Sequence, residues 1–181
     1  MNQAKNHLIG GITGGIGSEL AVKLGAEGDS VAGYARKAAV GDLFSPQDEF
    51  MLKTCDATDP DALETVINEF QKDLGSIDSY THAIGSIYLR PAHLTPVEDW
   101  LQTIQTNLSS AFYALRSVTK IMSKQGQGSC LFFSTAAAQT GIANHEAIAA
   151  AKGGIEAMVR AAAASYATRG LRINAIAPSL T

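Results

Sequence analysis

The residues with the most chemistry to offer stand near the start of the chain. The run Leu8-Ile9-Gly10-Gly11-Ile12-Thr13-Gly14-Gly15-Ile16-Gly17 passes directly into Ser18-Glu19-Leu20-Ala21-Val22-Lys23-Leu24. A short apolar strand that enters a glycine turn and then a helix points the first helical amides outward. Those unpaired donors, with the helix dipole behind them, attract a pyrophosphate, as in dinucleotide-binding α/β proteins. Each glycine of such a turn serves a different purpose, whether positive φ at the bend, close approach of phosphate to backbone, or close packing of helix on strand. Two other readings share the pattern, an ordinary glycine-rich strand–helix turn and the glycine loop of a methyltransferase. A P-loop is excluded, because no Lys-Ser or Lys-Thr pair follows the glycines.

A second chemical signal closes the next apolar run, Val31-Ala32-Gly33-Tyr34-Ala35-Arg36-Lys37. A site for NAD(H) places a carboxylate here to bind both ribose hydroxyls, and that carboxylate would repel a 2′-phosphate. This chain has Ala35 followed by two cations. Arg36 grips a phosphate bidentately and Lys37 adds a point charge, so NADP(H) is favoured over NAD(H). A pair of solvated surface charges is the plainer alternative, but the missing acid is a separate argument.

Apolar runs and helical periods alternate from end to end, the βαβ signature of a doubly wound, Rossmann-like α/β fold: a parallel sheet between two helical layers. Strands are predicted near 7–10, 30–35, 50–55, 79–83, 130–134 and 172–175, in the order 3-2-1-4-5-6. Helices are predicted over 15–27, 60–74, 96–124 and 145–168. The second opens on Thr58-Asp59-Pro60, a cap followed by a proline at the first helical position. Gly41 and Pro46 interrupt the helix signal between Arg36 and Phe50, so that crossover is expected to be short.

The 181 residues suit a single domain over 1–181, with no linker and no repeat. The net charge is −3 and no basic cluster exists beyond Arg36-Lys37, so nucleic acid is not an expected partner. No apolar run reaches membrane-spanning length and the first residues lack a signal-peptide core, which points to a cytoplasmic protein without membrane contact. Cys55 and Cys130 fall on strands expected to lie too far apart for a disulfide. His7, His82 and His93 show no metal-ligand spacing, and no metal is expected.

Together with the glycine loop, four segments make the chain resemble the short-chain dehydrogenase/reductase family over nearly its whole length. They are Cys55-Asp56-Ala57-Thr58-Asp59, Thr106-Asn107-Leu108-Ser109-Ser110-Ala111-Phe112, Phe133-Ser134-Thr135-Ala136 with Lys152 downstream, and Arg172-Ile173-Asn174-Ala175-Ile176-Ala177-Pro178. The resemblance makes Gly11, Gly15 and Gly17 the three loop glycines, with Gly10 where a threonine is usual. It counts Ile16 and Pro178 among the cofactor contacts, gives Asp56 the adenine amino group and gives Lys152 the nicotinamide ribose. The family's active site of Asn, Ser, Tyr and Lys maps to Asn107, Thr135, Ile148 and Lys152, so a hydrocarbon stands where the family has its tyrosine. The segment that ends the fourth strand, usually Asn-Asn-Ala-Gly, reads His82-Ala83-Ile84-Gly85. The family also continues past Pro178-Ser179 into a lid, a strand and a helix, so the fold is expected to be C-terminally incomplete. Gly153-Gly154 and Ala161 to Ala164 on the last helix suggest the flat face by which family members join into a homodimer or homotetramer.

Something must replace the tyrosine if proton transfer occurs. His145, Ile148 and Lys152 are spaced three and four apart and share one helix face, and an imidazole titrates near 6.5. His145 is therefore the leading substitute, with a plain polar residue at a helix start as the alternative reading. Tyr88, or a water held by Asn107 and Lys152, are further candidates. The implied activity is NADP(H)-dependent hydride transfer to or from a small carbonyl or alcohol. The competing implication is a non-catalytic NADP-binding protein.

Overall fold

A computed structural model of the protein describes residues 4–37, 43–45 and 48–179. Its sheet contains β1 (Asn6–Gly10), β2 (Ser30–Ala35), β3 (Met51–Thr54), β4 (Ser79–His82), β5 (Gly128–Phe133) and β6 (Leu171–Ile176). All pairings are parallel and the order is β3-β2-β1-β4-β5-β6, as the alternation predicts. The chain reverses its winding between β1 and β4. A crevice opens there beyond the carboxyl ends of the strands, where doubly wound proteins bind ligands.

Helices α1 (Gly15–Ala26), α2 (Pro60–Leu74), α3 (Val97–Ile104), α4 (Ser110–Gln125) and α5 (Glu146–Tyr166) connect the strands. Successive strand residues point to opposite faces, so Leu8 joins the cluster beneath α2, α4 and α5, whereas Ile9 joins the one beneath α1. A parallel sheet needs both faces covered, and this division produces the Rossmann-like three-layer α/β fold. Helix α2 follows its sequence signals closely. Asp59 Oδ1 accepts from the amides of Asp61 and Ala62, Pro60 opens the first turn, and Leu63, Ile67 and Phe70 form the buried stripe.

The continuous helix expected over 96–124 is instead α3, a π-helical turn over Gln105–Ser109, and α4. Side chains explain the departure. Asn107 Nδ2 donates to the Thr103 carbonyl and Ser110 Oγ to that of Thr106, each capturing the i−4 acceptor that an α-helical amide would use. His145, predicted as the first helical residue, is the cap of α5 with φ −103° and ψ 10°. Strand β2 has its predicted limits, and the other five strands differ from theirs by one or two residues at their ends. Gly41 and Pro46 lie outside the described residues. Cys55 and Cys130 are buried free thiols, and no helix among the described residues is long and apolar enough to cross a membrane.

Candidate functional site

The loop between β1 and α1 gives each of its three key glycines a separate physical role. Gly11 takes φ +80°, and a Cβ there would lie 2.9 Å from the Ala83 carbonyl oxygen, so both the bend and the neighbouring strand demand glycine. At Gly17 a Cβ would overlap the Gly11 carbonyl oxygen, which ties helix-on-strand packing to the absence of a side chain. Nothing lies within 4 Å of a Cβ built on Gly15, so its backbone faces open space at the start of α1. The α1 cap, Gly14, offers no side-chain bond to the first amides, which leaves them directed at the crevice.

A groove of about 1120 Å³ runs from this loop past Arg36, Lys37 and Asp56 to Thr106. Asp56 Oδ1 accepts from the Thr58 amide at 2.9 Å and the Thr58 hydroxyl at 2.8 Å. Those bonds, with the nearby Arg36 cation, hold its carboxyl below the usual carboxylate range. At its far end the groove shares Ala83, Ile84 and Gly85 with a second cavity of about 490 Å³. Asn107, Thr135, His145, Ile148, Lys152, Ile16 and Pro178 all line that cavity. Residues far apart in sequence are thus gathered at one end of the sheet.

Within the cavity, Lys152 Nζ donates to the Phe133 carbonyl at 2.9 Å, and burial pushes its ammonium down to about 8. Asn107 is fully buried: Oδ1 accepts from the Ser86 amide at 3.0 Å, while Nδ2 donates to Ser86 Oγ at 3.1 Å and the Thr103 carbonyl at 3.0 Å. Its amide therefore braces the loop after β4 against the π turn. Thr135 Oγ1 accepts from the Ala137 amide at 3.3 Å and remains on the cavity wall. His145 Nδ1 lies 2.8 Å from the Ala143 carbonyl. Because a carbonyl only accepts, Nδ1 carries the proton and Nε2 is the atom left for a ligand. Ile148 is 5% exposed, its side chain forming part of the same wall. Tyr88 is ruled out of the wall: its hydroxyl donates to Asp99 Oδ2 at 2.9 Å, away from these groups.

The matching family profile is described as Enoyl-(Acyl carrier protein) reductase and spans residues 11–181. The chain belongs to the short-chain dehydrogenase/reductase family. It is 30% identical over 182 residues to the 3beta-hydroxysteroid dehydrogenase of Mediterraneibacter gnavus, covering 96% of this chain and 65% of that protein. Among solved structures it superposes on ElxO with NADP bound at a TM-score of 0.93 with 25% identity, covering 98% of this chain and 74% of the other. NAD+-bound xylitol dehydrogenase gives 0.91 with 26% identity, covering 97% and 70%. The chain thus spans about two thirds of the length of the steroid dehydrogenase.

One feature that sequence reasoning missed explains two departures from the family pattern at once. Tyr34 and Tyr80, on β2 and β4, reach across Gly10 of β1 to bring their hydroxyls 2.7 Å apart. Tyr80 Oη is 2.7 Å from His82 Nδ1, and His82 Nε2 is 3.2 Å from Ser110 Oγ, which donates to the Thr106 carbonyl at 2.6 Å. A Cβ at position 10 would lie 2.6 Å from the Tyr34 hydroxyl oxygen and 2.8 Å from that of Tyr80. At position 10, where the resemblance implies a threonine, the tyrosine pair leaves room only for glycine, and His82 carries that pair's hydrogen bonding on to the π turn. The visible signal was the coincidence of two motif departures on neighbouring strands.

Proposed function

We propose that this single domain is an NADP(H)-preferring oxidoreductase that moves hydride between a nicotinamide and a small carbonyl or alcohol. The observation that carries the reading is the junction of the glycine-loop groove with the Lys152 cavity at Ala83–Gly85. A dinucleotide laid along the groove would bring its reactive end to the cavity. The open space at Gly15 and the unfilled first amides of α1 suit a pyrophosphate, so the residues present fit the cofactor. Arg36 and Lys37 would hold the 2′-phosphate, with no carboxylate at Ala35 to oppose it, and Asp56 would accept from the adenine amino group. Lys152 would donate to the ribose hydroxyls. The bound nicotinamide would supply or accept the hydride.

The chain's own residues would handle the proton and the geometry. Thr135 Oγ1 would orient the substrate oxygen, and His145 Nε2 would give that oxygen a proton in reduction or take one in oxidation. Asn107 would act through position alone, since both ends of its amide are bonded within the protein. The second reading, a non-catalytic NADP-binding protein, is favoured by one specific observation. Ile148 presents a hydrocarbon on the wall where the family has its proton-transferring phenol. Calorimetry with NADPH and NADH, followed by turnover on a panel of aldehydes, ketones and alcohols, separates the two. Binding without turnover would select the second.

The proposed protein is cytoplasmic and a homodimer or homotetramer assembled through α5. Gly153, with nothing within 4 Å of its missing side chain, and the exposed Ala157, Ala161 and Ala164 form a small-residue strip along that helix. Exposed Phe112 on α4 adds apolar area.

A further inference from the structure

We propose that Lys152, in the cofactor-free protein, also captures carbonyl compounds covalently: its Nζ condenses with an apolar aldehyde or ketone in the cavity to form an imine. This activity goes beyond hydride transfer and uses no nicotinamide. The geometry supplies what an imine-forming lysine requires, a buried amine without a counter-ion, a partly apolar cavity beside it and a proton carrier on the same cavity wall.

Among the described residues, Lys152 Nζ makes one hydrogen bond, to the Phe133 carbonyl, and no carboxylate pairs with it. The carboxylate one helical turn onward, Glu156, is bound instead by Ser134 Oγ and Gln139 Nε2. The cavity that Lys152 lines carries Ile84, Phe133 and Ile148 together with the exposed Ile87 and Ile142, and Thr135 and His145 as polar groups. On its Gly85 side the amine is closely packed, since a Cβ built at Gly85 would lie 3.4 Å from Nζ and 3.0 Å from Asn107 Oδ1, so a carbonyl reaches it from the cavity that Lys152 lines. Burial lowers the ammonium's pKa to about 8, which raises the fraction of free amine near neutrality. Ile148 lines the same cavity as Lys152, and a tyrosine ring in its place would narrow that cavity.

The step balances without an oxidant or reductant. The Nζ lone pair forms the C–N bond while the carbonyl π pair moves to oxygen, and the nitrogen's proton passes to that oxygen, giving a carbinolamine. His145, as the imidazolium, protonates the hydroxyl from Nε2, and the C–O bond breaks to release water. The resulting iminium returns one proton to His145, so an amine and a carbonyl become an imine and water.

The test uses the wild-type protein free of cofactor, with hexanal and sodium cyanoborohydride, and maps alkylation at every lysine by peptide mass spectrometry. Lys152 should be alkylated roughly 10-fold or more faster than exposed Lys23 and Lys72, because each unit of lowered pKa increases the neutral fraction about tenfold. In Ile148→Tyr the advantage of Lys152 should fall at least severalfold, as the ring obstructs the approach. Labelling of Lys152 at the rate of the exposed lysines, or an unchanged advantage in Ile148→Tyr, would overturn the proposal. No nicotinamide takes part, so a protein that fails to bind NADPH refutes the oxidoreductase reading and leaves this result standing.

Discussion

The buried chain Tyr34–Tyr80–His82–Ser110 has a direction, and the direction predicts unequal costs for two similar substitutions. The Thr106 carbonyl can only accept, so Ser110 Oγ donates to it and must accept from His82 Nε2–H. His82 Nδ1 then accepts from the Tyr80 hydroxyl, which in turn accepts from that of Tyr34. Tyr34→Phe removes the first donor and leaves one unused lone pair on Tyr80, a loss of about 1 kcal/mol, the usual net value of one hydrogen bond. Tyr80→Phe leaves two fully buried groups unpaired, the Tyr34 O–H and His82 Nδ1. At about 1–3 kcal/mol for each stranded group, it should cost about 2–6 kcal/mol. Both hydroxyls block position 10, since a Cβ there would lie 2.6 Å from the Tyr34 oxygen and 2.8 Å from that of Tyr80, so Gly10→Ala should be damaging alone and should remain damaging in a Tyr34→Phe background. Urea denaturation of the four single and double variants measures all of this. Equal losses for the two Tyr→Phe changes would refute the directed chain.

Three further outcomes follow from the site. Arg36→Ala should weaken NADPH binding by roughly 1.5–3 kcal/mol, the scale of a hydrogen bond to a charged group, and leave NADH nearly unchanged; calorimetry showing equal losses for both would remove the 2′-phosphate role. If His145 carries the proton, His145→Ala should lower turnover about 10²–10⁴-fold with little change in NADPH affinity, and adding Ile148→Tyr should restore part of it. Full activity in His145→Ala would return the role to an ordered water. Burial pushes His82 down to about 3, so between its unfolded value near 6.5 and that folded value the unfolded chain binds more protons. Stability is therefore fully present above about pH 6.5 and declines by up to about 1.4 kcal/mol per pH unit below it, and His82→Gln should flatten that slope in denaturation measured at pH 7, 6 and 5.

What the sequence revealed, and what it concealed, divides by the range over which each interaction acts. The α2 cap, the roles of the loop glycines and the strand order rest on local chemistry and on alternation, both written in consecutive residues. The π turn depends on whether Asn107 and Ser110 take the carbonyls of Thr103 and Thr106 ahead of the backbone, a competition that helical periodicity does not record. The tyrosine–histidine chain joins residues 46 and 28 positions apart, Tyr34 to Tyr80 and His82 to Ser110. Sequence reasoning saw only Gly10 and His82, as separate departures. Likewise nothing in Asn107 itself told that its amide would be occupied by Ser86, nor in Tyr88 that its hydroxyl would turn to Asp99.

The two departures from the family pattern that matter most are of different physical kinds. At Gly10 and His82 the lost side chains are replaced: the tyrosine hydroxyls occupy the space and the imidazole completes the hydrogen bonding, so the β1–α1 bend keeps its geometry. At Ile148, where the resemblance places the family's tyrosine, a hydrocarbon neither gives nor accepts a proton. The nearest titratable groups on the same wall are His145, on the cap before that helix, and Lys152, one turn after Ile148. On the proposed reading, cofactor binding and proton transfer would therefore be separable in this chain, because the first would rest on backbone geometry and the second on a single half-buried imidazole. A variant that restores the phenol at 148 should alter turnover far more than affinity for NADPH, whereas Gly17→Ala, which forces α1 away from the Gly11 carbonyl, should do the reverse. Measured side by side, parallel losses of affinity and turnover in both variants would contradict that separation.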